Sequence, residues 1–155
     1  MEIKFERDNF KFNVRSSCII KDKKHENVIL TYMRAIKDHD AFILPGGRLE
    51  LLNDSCEAIC REMQEELGIT LDYKLISVQE IIVKETKFHM LEFVFYGEID
   101  SFDEISKLDD GWDKFKIIKI EDIDNIDIRP KSMKKLIKQN LYKNITHDIN
   151  YDWGD

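Results

Sequence analysis

Glu62, Glu65 and Glu66 stand at i, i+3 and i+4 in the segment Arg61-Glu62-Met63-Gln64-Glu65-Glu66-Leu67-Gly68. A helix turns about 100° per residue, so these three carboxylates would project side by side. Like charges at that spacing cost a helix roughly 0.2–0.5 kcal/mol per pair, and a cation nearby would offset the cost. A cluster made only of oxygen ligands suits a hard divalent ion, Mg²⁺ or Mn²⁺ where a phosphate shares the metal. The bland alternative is a solvated acidic face on an ordinary amphipathic helix.

Something must hold such a helix. Cys56, Cys60, Met63 and Leu67 recur at helical spacing and predict a narrow apolar stripe on the side away from the glutamates. Asp54 followed three residues later by Glu57 predicts an N-terminal capping box, and Gly68 a left-handed stop. Upstream, the apolar run Ala41–Leu44 leads into Pro45-Gly46-Gly47, where backbone without side chains can approach a ligand closely.

From Gly47 through Arg61, Glu62, Met63, Glu65, Glu66 and Gly68 to Ile69, the chain resembles the Nudix hydrolases, the MutT-like nucleotide pyrophosphohydrolases. Their signature is G-x5-E-x7-R-E-U-x-E-E-x-G-U, with U a bulky aliphatic residue. One position departs: Asn53 stands where the family carries its first Glu. The resemblance implies an α/β/α sandwich with a mixed sheet, one central catalytic helix and a C-terminal helix. It implies Mg²⁺ or Mn²⁺ held by Glu62, Glu65 and Glu66 with the Gly46 carbonyl, and Arg61 fixing one of the glutamates. Gly47 and Glu50 fall on the substrate side. Asn keeps an oxygen but no charge, so Asn53 is expected to alter metal number or affinity, with Asp54 or Glu50 as stand-ins.

The implied reaction is attack of water on phosphorus in a nucleoside diphosphate linked to another group. Its general base is expected outside the helix, with Glu92, Asp103, Glu104, Asp109 and Asp110 as candidates, each also readable as plain surface charge. A Nudix domain that binds a nucleotide metabolite without hydrolysing it is the second reading, favoured only by Asn53. An unrelated enzyme with a fortuitous acidic helix is disfavoured by the Gly47–Ile69 spacing. Substrate identity is not legible. Phe42, Phe88, Tyr96, Trp112 and Phe115 could stack on a base, but core packing is the better default. His89 reads as an ordinary strand histidine and His39 as exposed loop.

Composition sets the frame. The 155 residues, 43% hydrophobic, suffice for one core and predict a single domain over 1–155 with a tail from about 144. No apolar run approaches the roughly 20 residues that span a membrane. Three cysteines, two of them on the helix stripe, read as buried thiols in a reducing cytoplasm. A net charge of −7 argues against a nucleic-acid polymer but not against a nucleotide that arrives with a metal. A homodimer is left open. Alternation and apolar runs predict strands over Phe10–Ile20, Val28–Met33, Leu75–Lys84, Lys87–Ile99 and Phe115–Ile120. Glu121–Asn125 reads as a turn. Pro130 opens a helix from Lys131 to about Tyr142, and the tail from Asn144 lacks periodicity.

Overall fold

A computed structural model describes residues 1–106, 113–139 and 145–154. Its axis is β2 (Phe10–Asp22), a long strand buried over most of its second half, with Cys18, Ile19 and Ile20 at the core. On one side β2 runs parallel to β7 (Phe88–Ile99), in register from Lys11 with Phe88 to Asp22 with Ile99. β7 pairs antiparallel with β6 (Lys74–Val83), so the two strands predicted over Leu75–Lys84 and Lys87–Ile99 form a hairpin. On the other side β2 is shared. Its start pairs with β1 (Lys4–Arg7), its middle with β5 (Gly46–Arg48), and its end with β3 (Asn27–Tyr32). β3 in turn pairs with β4 (Ala41–Ile43) and β8 (Phe115–Lys119), and β4 with the two-residue β9 (Asp127–Ile128).

The sheet is mixed and carries a helix on each face. Residues of one parity along β2, Val14, Cys18 and Ile20, pack with the helix α1 (Ser55–Leu67) through Ala58, Ile59, Met63 and Leu67. Ile19, of the other parity, packs with Met133, Leu136 and Ile137 of α2 (Ser132–Lys138). The period-2 alternation of a strand thus divides the core into two layers. Each fully buried side chain such as Met63 or Leu67 contributes roughly 1.5–3 kcal/mol.

Two expectations need correction, and one falls outside the described residues. The segment after Asn144 is not patternless: Thr146–Asn150 forms β10, parallel to β6, and Trp153 packs against Phe88 with ring centroids 5.5 Å apart. Every second residue of β10 is half-buried at a sheet edge, a pattern too short and too polar to read in one dimension. Glu121–Asn125 belongs to a 3₁₀ helix, Ile120–Asn125, whose Ile123 is fully buried. The C-terminal helix is described only to Lys138, with Gln139 as its cap; the expected end at Tyr142 lies outside the described residues.

Candidate active site

Both ends of α1 are built as predicted. The Asp54 carboxylate accepts the Glu57 amide at 2.8 Å, and the Glu57 carboxylate accepts the Asp54 amide at 2.9 Å. Gly68 adopts φ 67°, where a side chain would be strained, and closes the last turn. The stripe between them is rotated from the expected one. Its buried members are Ala58, Ile59, Met63 and Leu67, while Cys56 is exposed and Cys60 only half-buried. Ile59 and Ala58 displace the cysteines because they fit the apolar gap under β2. Cys18 is the thiol that is fully buried, and burial pushes its pKa well up.

This rotation decides where the carboxylates sit. At about 100° per residue, Glu66 lies about 20° round the helix from Ile59 and Glu62 about 60°. The acidic group therefore flanks the buried stripe instead of opposing it. Glu62 and Glu66 are enclosed, with side chains 17% and 15% exposed, whereas Glu65 is 62% exposed.

The glycine loop closes over this flank. Gly46 and Gly47 of β5 pair with Ser17 and Ser16 of β2. The Ser16 hydroxyl donates to the Ser55 carbonyl at 2.8 Å, tying strand to helix start. A Cβ added to Gly47 would collide with the Glu62 carboxylate. Glycine lets backbone and carboxylate lie in contact without moving the free end of the Glu62 side chain.

Arg61 gathers the group. Its guanidinium reaches Glu62 at 3.2 Å, Glu50 at 3.4 Å and Glu65 at 3.9 Å, and donates to the Arg48 carbonyl at 3.2 Å. Glu66 belongs to a different cation: one oxygen accepts the Lys114 ammonium, and the other, Oε2, is buried with no hydrogen-bond partner. Among the described residues, no three His, Cys, Asp or Glu side chains already converge on one point. The residues nevertheless fit a divalent ion. The donor set is all oxygen, Glu66 Oε2 lacks a partner, and Gly47 leaves the Glu62 carboxylate room where it stands.

Of the residues expected to act together, Glu50, Glu62 and Glu65 meet at Arg61, Gly47 lies against Glu62 with Gly46 beside it in β5, and Glu66, on the same helix, is tied to Lys114. Two stand apart. Asn53 turns its amide to Glu57, 3.4 Å away, at the helix start. Glu92 has the parity of Val94 on β7, whose side chain packs in the α2 layer. It is 4% exposed and accepts Arg15 Nε at 3.0 Å, while Arg15 Nη2 donates to the Leu44 carbonyl. Arg129, paired with Asp127 at 3.0 Å, lines the same small cleft with Trp153. Asp103 and Glu104 form a 3₁₀ turn; Asp109, Asp110 and Trp112 lie outside the described residues. Phe42 and Phe115 are core residues. Lys114 was not anticipated. No spacing rule marks a lone lysine before a strand, and only the pairing of β8 with β3 brings it beside α1.

A family model described as NUDIX domain matches residues 11–139. No curated protein matches. The fold is shared with a solved MutT protein from Bacillus halodurans, at 21% identity and TM-score 0.64, covering 90% of each chain. A NUDIX hydrolase from Nitrosomonas europaea aligns at 22% identity and TM-score 0.59, over 81% of this chain and 86% of that one. NrtR from Shewanella oneidensis, solved with a 27mer DNA, aligns at 10% identity and TM-score 0.66, over 81% of this chain and 58% of that one. No helix among the described residues is long and apolar enough to cross a membrane.

Proposed function

This chain belongs to the Nudix hydrolase family, and we propose that it hydrolyses a nucleoside diphosphate linked to another group, with Mg²⁺ or Mn²⁺ held by Glu62, Glu65 and Glu66. The observation that carries the proposal is the buried Glu66 oxygen without a hydrogen-bond partner, on the same helix as a Glu62 carboxylate that lies against Gly47. A bound divalent ion would neutralise phosphate charge and acidify a water. The Gly46 carbonyl is assigned as a further ligand, and Gly47 and Glu50 border the substrate. Water adds to phosphorus, the anhydride P–O bond breaks, and the proton of the attacking water passes to a carboxylate or to solvent.

Arg61 positions the carboxylates. Its planar fork spans Glu50, Glu62 and Glu65 at once, which a lysine could not do. Glu92 is left out of the reaction: its carboxylate is committed to Arg15 within the α2 layer. Asn53 is assigned to the helix start, where its amide meets Glu57. The chain as a whole, including β10, is taken to work as one unit in the cytoplasm, as a monomer or a homodimer.

The test is a panel of nucleoside triphosphates, ADP-ribose, nucleotide sugars and dinucleoside polyphosphates with Mg²⁺ or Mn²⁺. It is run on the native chain and on a Glu65→Gln, Glu66→Gln double variant. Turnover by the first and its loss in the second is the expected result. Tight binding without turnover by the native chain would favour the alternative, a Nudix domain that senses a nucleotide metabolite.

A further inference from the structure

Arg61 and Lys114 hold the helix carboxylates in different ways. Arg61 sits on α1, is 25% exposed, and has three carboxylates and a carbonyl as partners. Lys114 comes from across the fold, is 47% exposed, and among the described residues has one carboxylate, Glu66. Its backbone is fixed: Tyr32 donates its amide to the Lys114 carbonyl at 3.0 Å. The next residue, Phe115, is buried in the cluster that contains Ile59, Met63 and Leu67. Its side chain is a flexible stem with a point charge at the end. While it holds Glu66, that charge also lies 5.6 Å from the centroid of the Phe115 ring, which can steady it near the site once Glu66 is released.

We propose that Lys114 is a displaceable counter-ion that occupies Glu66 in the metal-free protein and yields it to an entering divalent cation. Lys114 thereby sets how much metal the site requires. The inference rests on the assignment of Glu62, Glu65 and Glu66 as metal ligands. Its physical basis is the enclosure of Glu66. A carboxylate beside the apolar stripe is costly to leave without a cation, and Lys114 supplies one charge until two arrive on one ion. The unpartnered Glu66 Oε2 shows that one ammonium does not saturate this carboxylate. Arg61, held by three carboxylates, has no comparable freedom and stays in place when metal binds.

The test uses the full chain without substrate, with free Mn²⁺ followed by electron paramagnetic resonance. Lys114→Met keeps the stem and removes the charge. It should tighten Mn²⁺ binding by about two- to tenfold, the range expected for losing one competing, partly screened ion pair. Lys114→Arg keeps the charge and should stay within about twofold of the native chain. In a Glu66→Gln background, Lys114→Met should change nothing, because the two act through each other. Superimposable binding curves for the native chain and Lys114→Met would overturn the counter-ion role while leaving the metal site standing. No Mn²⁺ binding by the native chain would overturn both.

Discussion

The two faces of the sheet each carry a charged cluster, and the clusters differ in balance. On the α1 side, among the described residues, Glu50, Glu62, Glu65 and Glu66 share Arg61 and Lys114, and Glu50 and Glu65 are well exposed. On the α2 side, Glu92 and Asp127 face Arg15 and Arg129, with Glu92 and Arg129 almost fully buried. Among the described groups the first cluster sets four carboxylates against two cations, and it stands partly in water. In the second, each carboxylate is paired with an arginine, and the pairs are more enclosed. A buried charge must be paired in place, whereas a half-exposed acidic excess can remain as a site for an arriving cation. Burial therefore separates carboxylates that hold the fold from carboxylates that are available to a ligand.

The largest expected effect is on the matched side. Arg15→Met strands the Glu92 carboxylate, which is 4% exposed, and should lower stability by about 3 kcal/mol in chemical denaturation. Adding Glu92→Met to that variant should restore most of the loss. On the acidic side, Glu66→Gln should shift stability by no more than about 1 kcal/mol, since a neutral amide can still meet Lys114. Equal losses for Arg15→Met and Glu66→Gln would erase the distinction between the two clusters.

Next in size is Arg61→Ala. Its guanidinium orients Glu62 and Glu65 and is assigned no substrate contact, so kcat should fall by tenfold or more, about 1.4 kcal/mol, with KM little changed. A raised KM at unchanged kcat would instead place Arg61 on the substrate.

A smaller effect is expected of Asn53→Glu, which restores the family residue beside Glu57. Like charges at this spacing should cost about 0.5 kcal/mol of stability. The metal concentration giving half-maximal activity should not move, because the Asn53 side chain faces Glu57. A several-fold fall in that concentration would return Asn53 to the metal site.

The smallest effect concerns the rim of the matched cluster. The hydrogen bond from His39 to Asp127, 2.7 Å long, raises the imidazole pKa above its ordinary 6.5, with Asp38 assisting. Asp127 is held below the usual carboxylate value, first by Arg129. A raised histidine pKa gives stability that is complete below about pH 6.5 and is lost as pH rises through the raised value. His39→Asn should flatten that decline without altering metal binding. An NMR titration finding the His39 pKa at or below 6.5 would contradict the assignment.

What was legible in the sequence is what depends on neighbours along the chain. The helix from Ser55 to Leu67, its capping box, its Gly68 stop and the crowding of Glu62, Glu65 and Glu66 all follow from helical periodicity and local hydrogen bonding. So do β2, β6 and β7, whose apolar runs are long enough to show their period. The motif likewise carried the family. Tertiary structure decided the rest. Whether Cys56 or Ile59 faces inward depends on the gap under β2, and hydrophobicity alone does not separate a thiol from an isoleucine. Glu92 turned from a candidate base into half of a buried ion pair because β2 and β7 align Arg15 opposite it, a register set between strands remote in sequence. Lys114 reached Glu66 only because β8 pairs with β3 and buries Phe115 against α1. Contacts of that kind are set by how strands stack and which faces they bury, so no local pattern announces them.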